Sequence, residues 1–214
     1  MGLDEYKKKR RFNETPEPEG KVKKTAGNSF VIQKHRATRL HYDFRLEMEG
    51  VLRSWAIPKG PSFNPAEKRL AVLTEDHPMD YGGFEGVIPK GNYGAGKVIV
   101  WDNGTYEMVD PDTPEKGWQK GKLHIILNGT KLHGEWVLVR GSRDEKQWIF
   151  FKVRDNYATA EGDVTVDEPE SVLSGNLVEE VGEPAPAGRP GKKKLQKAPG
   201  TGTHPSKANL NVLG

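Results

Sequence analysis

The feature that most restricts this chain is a series of short β-rich runs separated by turn residues at near-regular intervals. Residues 41–48 and 51–57 flank Gly50, and residues 96–101 lead through Asp102-Asn103-Gly104 into 105–109. Three further runs, 122–127, 134–139 and 147–153, are set off by Asn128-Gly129 and Arg140-Gly141. Asn-Gly between such runs is a hairpin signal, because the tightest turns require positive φ at their central positions. Strands this short and this regularly spaced predict antiparallel pairing rather than βαβ units. The expected fold is therefore mainly β, a compact antiparallel β-barrel with few short helices. One short amphipathic helix is expected within 3–11 and a helical turn within 169–174.

Composition limits what such a barrel can do. The 214 residues contain no Cys, which excludes a disulfide scaffold, a zinc ribbon and a cysteine nucleophile. No apolar run approaches the roughly 20 residues that cross a bilayer, and none follows the basic stretch Lys7-Lys8-Lys9-Arg10-Arg11. The chain is thus expected to be soluble and cytoplasmic, without a membrane partner. Charge is uneven: residues 1–24 carry 8 basic and 5 acidic groups, residues 101–184 carry 9 and 17, and residues 185–214 carry 6 basic and none acidic. That pattern excludes a uniform cationic coat, so any site for a polyanion must be local. Beyond 183, Pro and Gly without apolar periodicity predict a disordered basic tail, either a solubilising extension or a nonspecific attraction to phosphate backbones. Three segments are expected: a basic N-terminal segment 1–24 packing on the catalytic domain, a barrel over 25–182, and the tail 183–214.

Within the run at 41–48, side-chain alternation puts His41, Asp43 and Arg45 on one face and Tyr42, Phe44 and Leu46 on the other. A solvated polar face would explain such a row by itself. His35 upstream and His77 within Thr74-Glu75-Asp76-His77-Pro78 add two imidazoles, and His35, Asp43 and His77 make a ligand set suited to Mn, Fe or Zn. Arg45, Arg53, Lys59 and Arg69 supply cations without an evident helical partner, suited to phosphate. Two imidazoles and a carboxylate also form the triad of non-haem Fe(II) oxygenases, with His41 in place of His35; the surplus of Arg and Lys favours phosphate. The glycines of 80–97 read as turn formers, since no Gly-Lys-Ser/Thr follows at phosphate-loop spacing.

Several uninterrupted stretches, in order, resemble the 3′-phosphoesterase domain of bacterial DNA ligase D. They are Phe30-Val31-Ile32-Gln33-Lys34-His35, Arg39-Leu40-His41-Tyr42-Asp43-Phe44-Arg45-Leu46, Ser54-Trp55-Ala56-Ile57-Pro58-Lys59-Gly60-Pro61 and Glu75-Asp76-His77-Pro78. The resemblance implies a small β-barrel with a crescent-like groove. It implies a Mn²⁺ site at His35, Asp43 and His77, with His41 and Arg45 on the scissile phosphate, His41 either as cationic stabiliser or as general acid. Lys59, Arg69 and Glu75 match further active-site positions, Ser54 and Tyr81 also match, and Gln33 matches a supporting one.

The activity implied is removal of a 3′-terminal ribonucleoside and then of the 3′-phosphate from a DNA primer strand, leaving 3′-hydroxyl ends for nonhomologous end joining. DNA ligase, a repair polymerase and Ku are the partners this implies; a DNA-end-binding module without activity is the alternative. In the leading segment Arg10 and Glu17 match functional positions. Family members commonly read Lys-Arg-Asp-Phe there, whereas this chain reads Lys9-Arg10-Arg11-Phe12, a charge reversal expected near the groove.

Overall fold

A computed structural model describes residues 2–24 and 27–182. The tail expected over 183–214 lies outside the described residues. Ten strands follow in chain order: β1 Ser29–Arg36, β2 Leu40–Met48, β3 Val51–Ile57, β4 Arg69–Leu73, β5 His77–Pro78, β6 Gly86–Ile88, β7 Gly96–Met108, β8 Lys122–Gly129, β9 His133–Arg140 and β10 Gln147–Lys152. Pairing runs β1-β2-β3-β4-β10-β9-β8-β7, and β7 returns to β1, which closes an eight-stranded antiparallel barrel. Strand β5 adds to β3 and β6 adds to β7 outside that circuit. The helices are short: α1 Asp4–Lys8, α2 Pro114–Lys120 and α3 Val164–Asp167.

The hairpin signals were only partly obeyed. Glu49 and Gly50, at φ 49° and 77°, make the tight turn between β2 and β3; a Cβ on Gly50 would meet the Lys23 carbonyl oxygen at 1.8 Å. Asp102-Asn103-Gly104, expected to be a turn, instead lies inside the unbroken strand β7. The reason is tertiary. The Asp102 carboxylate is buried and accepts the backbone N–H groups of Asn103, Thr130, Lys131 and Leu132, so it organises the next hairpin rather than its own. Gly104 is needed for close approach, since a Cβ there would lie 2.1 Å from the Asn128 carbonyl oxygen. Strands β1, β4, β5 and β6 gave no clear alternation; in β1 six consecutive residues are buried, which erases the period-two pattern. Helix α2 lies where no helix is expected: Thr113 caps it, Pro114 opens it and Gly121 closes it in the left-handed conformation.

The barrel is filled by aromatic and aliphatic side chains. Phe44 and Phe150 lie 4.9 Å apart, Phe150 stacks on Trp136 at 4.9 Å, and Trp55 meets Trp148 edge-on at 5.6 Å. Fully burying each such side chain contributes about 1.5–3 kcal/mol. A second, smaller apolar cluster lies outside the barrel, where Tyr6 and Tyr81 pack on Val31, Leu52 and Val100. That cluster holds the N-terminal segment and the 3₁₀ turn Met79–Gly83 against the outer face of β1–β3.

Candidate active site and metal centre

Alternation along β2 turns Tyr42, Phe44 and Leu46 into the barrel and leaves His41, Asp43 and Arg45 on its outer face. Register then adds neighbours: β1 sets Gln33 opposite Asp43 and His35 opposite His41, and β3 sets Ser54 opposite Arg45. Because the N-terminal segment and the β5 region cover this face, its polar groups are buried. Gln33 and Ser54 are 0% exposed, Arg45 2% and His77 4%.

Three of these groups converge. Donor atoms of His35, His41 and Asp43 all lie within 4.8 Å of one another, the one such metal-competent group among the described residues. Nδ1 of His35 is 3.6 Å from Oδ2 of Asp43, and Nε2 of His41 is 3.7 Å from Oδ1. The other nitrogen of each ring donates to a backbone carbonyl, His35 Nε2 to Gly94 and His41 Nδ1 to Arg39, both at 2.9 Å. Carbonyls only accept, so these bonds leave a lone pair on each imidazole facing the Asp43 carboxylate. Lone pairs directed at one point without a proton between them suit a cation, and the donor types suit a divalent transition metal.

Burial alone would raise the Asp43 pKa, but the Arg45 guanidinium beside it holds the carboxyl below the usual carboxylate range. Arg45 spends its donors on neighbours: Nε on Gln33 Oε1 at 2.8 Å, Nη1 on Ser54 Oγ at 2.8 Å and Nη2 on Asp43 Oδ2 at 3.2 Å. It is an organiser of the site in this arrangement, aligning the carboxylate and packing 5.0 Å over the Tyr81 ring.

His77, expected among the metal ligands, is not in the converging group; His41 is. The ring of His77 is held by arginine and backbone instead. Its Nε2 accepts from Arg10 Nη2 at 3.1 Å, its Nδ1 donates to the Glu75 carbonyl at 2.9 Å, and Arg45 Nη1 is 2.9 Å from that same Nδ1. Burial first, then the Arg45 and Arg10 guanidiniums, keep this imidazole well below its usual pKa and hence neutral.

Arg10 ties the leading segment into the site. Its Nε donates to Glu17 Oε1 and its Nη1 to Glu75 Oε1, each at 2.9 Å, while Tyr81 Oη donates to the same Glu17 oxygen at 3.1 Å. Arg11 points away: its side chain is 71% exposed and pairs with Glu14 at 3.5 Å. Lys59 lies exposed in the turn after β3, and Arg69 begins β4 beside Glu67; neither lines the groove of about 230 Å³ at His35, His41 and Asp43. Tyr93 and Gly94 do line it. Both fall in the stretch whose glycines signal turns, and Gly94 acts through its carbonyl, which no residue-type signal reveals.

With this geometry in view, the comparisons decide the family. The model of the DNA Ligase D 3′-phosphoesterase domain matches residues 33–140, the stretch that carries His35, His41, Asp43, Arg45 and His77. The chain belongs to the DNA ligase D 3′-phosphoesterase domain family. It is 48% identical over 200 residues, 89% of its length, to the multifunctional non-homologous end joining protein LigD of Pseudomonas aeruginosa, and covers 24% of that protein. It is 44% identical over 159 residues to the corresponding proteins of Mycobacterium tuberculosis and Mycobacterium bovis, covering 72% of this chain and 20% of each relative. The chain thus spans about a quarter or less of the length of these relatives. Among its described residues, no helix is long and apolar enough to cross a membrane.

Proposed function

We propose that this 3′-phosphoesterase family member is a Mn²⁺-dependent DNA 3′-end-healing hydrolase, removing a terminal ribonucleoside and then the 3′-phosphate from a primer strand. The relatives' names, which place them in non-homologous end joining, support a role at broken DNA ends. The observation that carries the reading is the pair of imidazoles locked by carbonyls onto Asp43, immediately beside the buried guanidiniums of Arg45 and Arg10. An oxygenase triad has no use for that cationic wall; a phosphate does.

In this proposal His35, His41 and Asp43 hold the metal, so His41 takes the ligand role first given to His77. A divalent cation bound there supplies Lewis-acid stabilisation of charge on the phosphate oxygens. Arg45 keeps Asp43 ionised and aligned. Arg10 is the cation that an entering phosphate oxygen meets, and His77, 3.1 Å from its Nη2, positions it. Glu75 and Glu17 position Arg10, and Gln33 and Ser54 position Arg45. Ser54 Oγ donates to the Leu52 carbonyl and is not a free nucleophile, so water attacks. Lys59 and Arg69, outside the groove, serve flanking phosphates of the primer-template. Ligase, polymerase and Ku act with it in trans, in the cytoplasm.

The test is processing of 5′-labelled primer-templates ending in a 3′-phosphate or one 3′-ribonucleotide, with and without Mn²⁺. Metal-dependent conversion of both to 3′-hydroxyl ends is expected; salt-sensitive binding without product would instead support a DNA-end-binding module. Mn²⁺ titration separates the two histidines. His41→Ala should lose the metal and His77→Ala should keep it while losing turnover; the reverse result returns His77 to the ligand set.

A further inference from the structure

A larger cavity of about 710 Å³ adjoins the metal groove, and Thr74, Glu75 and Tyr93 line both. Glu75 stands on the dividing wall with one oxygen on each side: Oε1 accepts from Arg10, which lines the groove, and Oε2 accepts from Lys9 at 3.1 Å, which lines the cavity. The two spaces differ in charge. In the groove Arg10 and Arg45 balance Asp43 and Glu75, so a divalent cation held there makes it positive, whereas in the cavity four carboxylates outnumber three cations, Lys9, Arg53 and Lys146. Lys9 bridges Glu5 at 2.9 Å and Glu75, Arg53 pairs with Asp76 at 3.3 Å, and Asp4 adds a further carboxylate. Such walls repel a phosphate and offer acceptors to the hydroxyl and amino groups of an uncharged molecule.

Tyr93 sits between the two spaces and is 50% exposed, a large ring left in solvent at the edge of a buried site. The Lys9 ammonium lies 4.9 Å and the Arg10 guanidinium 5.6 Å from its centroid. The next residue, Gly94, is the one whose carbonyl holds His35, so the ring is tied through one peptide to the proposed metal centre.

We propose that this cavity is the subsite for the leaving ribonucleoside, with its base stacked on Tyr93; the inference rests on the end-healing reading above. In that step the oxygen of water bonds to phosphorus as the bond to the nucleoside 5′-oxygen breaks. That oxygen takes up a proton, and an uncharged nucleoside departs while the phosphate stays at the cationic groove. The neutral product thus faces the space rich in carboxylates, and the anion faces the space that holds the divalent cation. A 3′-phosphate end carries no such nucleoside and leaves the cavity unused.

The test compares Tyr93→Ala, Tyr93→Phe and wild type on the two primer ends. Stacking on one aromatic ring is worth roughly 10- to 100-fold, so Tyr93→Ala should depress ribonucleoside removal by that factor relative to 3′-phosphate removal, and Tyr93→Phe should restore the ratio. An equal fall on both ends would assign Tyr93 to the primer strand and overturn the subsite, as would no change in either. A separate arm uses metal-free protein and a primer ending in 2-aminopurine riboside. Wild type and Tyr93→Phe should quench its fluorescence on binding, and Tyr93→Ala should not; quenching by all three overturns the proposal. If wild type converts neither end, the end-healing reading fails, and the fluorescence arm still judges whether a terminal nucleoside stacks at Tyr93.

Discussion

The two faces of β2 are made by alternate residues of one strand, yet different physics holds them. The inner face, Tyr42, Phe44, Leu46 and Met48, is at most 3% exposed and packs against other apolar side chains. The outer face, His41, Asp43, Arg45 and Glu47, is largely buried too, but every group on it requires a partner. Inside, stability grows with area removed from water and tolerates swaps of similar volume. Outside, each charge has lost solvent, and only a set of specific bonds compensates it, so the same burial produces a site that is exacting in geometry. Adjacent residues of one strand therefore fail in different ways when replaced.

The largest expected effect breaks that comparison most plainly. Asp43→Asn should lower turnover by about 1,000-fold or more through loss of the metal while the chain stays folded, checked by Mn²⁺ titration and circular dichroism. Its neighbour Phe44→Ala should cost about 3–5 kcal/mol of stability by urea unfolding, because a fully buried ring leaves a cavity, and metal affinity of the folded fraction should persist. Asp43→Asn unfolding the chain, or Phe44→Ala sparing it, would mean that the faces are not separable.

A smaller effect concerns the strap across the outer face. Glu75→Gln should lose about 1.5–3 kcal/mol at neutral pH, since its carboxylate accepts from both Lys9 and Arg10, and should loosen the N-terminal segment to proteolysis.

Acidification should unload the same face. His77 is held below the ordinary imidazole value of about 6.5, so its contribution is present above about that pH and is lost as pH falls through the folded value. Burial opposes ionisation of Glu75, yet Arg10 and Lys9 hold its carboxyl below the ordinary glutamate range, so its share is present above that range and lost further into acid. Urea midpoints from pH 8 to 4 should fall, and His77→Gln should flatten the part between the two values; Phe44→Ala should shift the curve without reshaping it.

The smallest effect is at Arg11. Its pair with Glu14 is mostly solvent-exposed, so Arg11→Asp should change stability by no more than about 0.5 kcal/mol. The ratio of ribonucleoside to phosphate removal should stay within twofold; a larger change would show that charge at this position is felt in the groove after all.

Legibility followed from where the physical constraint lay. Local alternation made β2 and β3 readable, and Gly50 located the hairpin between them; Asn128-Gly129 instead ends β8, and the turn follows at 130–132. Where local signals competed with a distant partner they misled: Asp102-Asn103-Gly104 resembles a turn, but its carboxylate is claimed by the backbone of 130–132. Strand β1, buried on both faces, left no alternation to read.

The sequence by itself determined which chemistry was available: two imidazoles and a carboxylate among guanidiniums, a β scaffold, and a family resemblance that the comparisons bear out. Tertiary structure alone decided which imidazoles converge. Sequence spacing makes His77 as plausible a ligand as His41. Cross-strand register puts His41 opposite His35, while β5 places His77 on Leu52, against Arg45 and Arg10. The reason is that residue type fixes what an atom can bond, whereas its lone pairs are aimed by backbone partners, here the carbonyls of Arg39 and Gly94, that carry no side-chain signature.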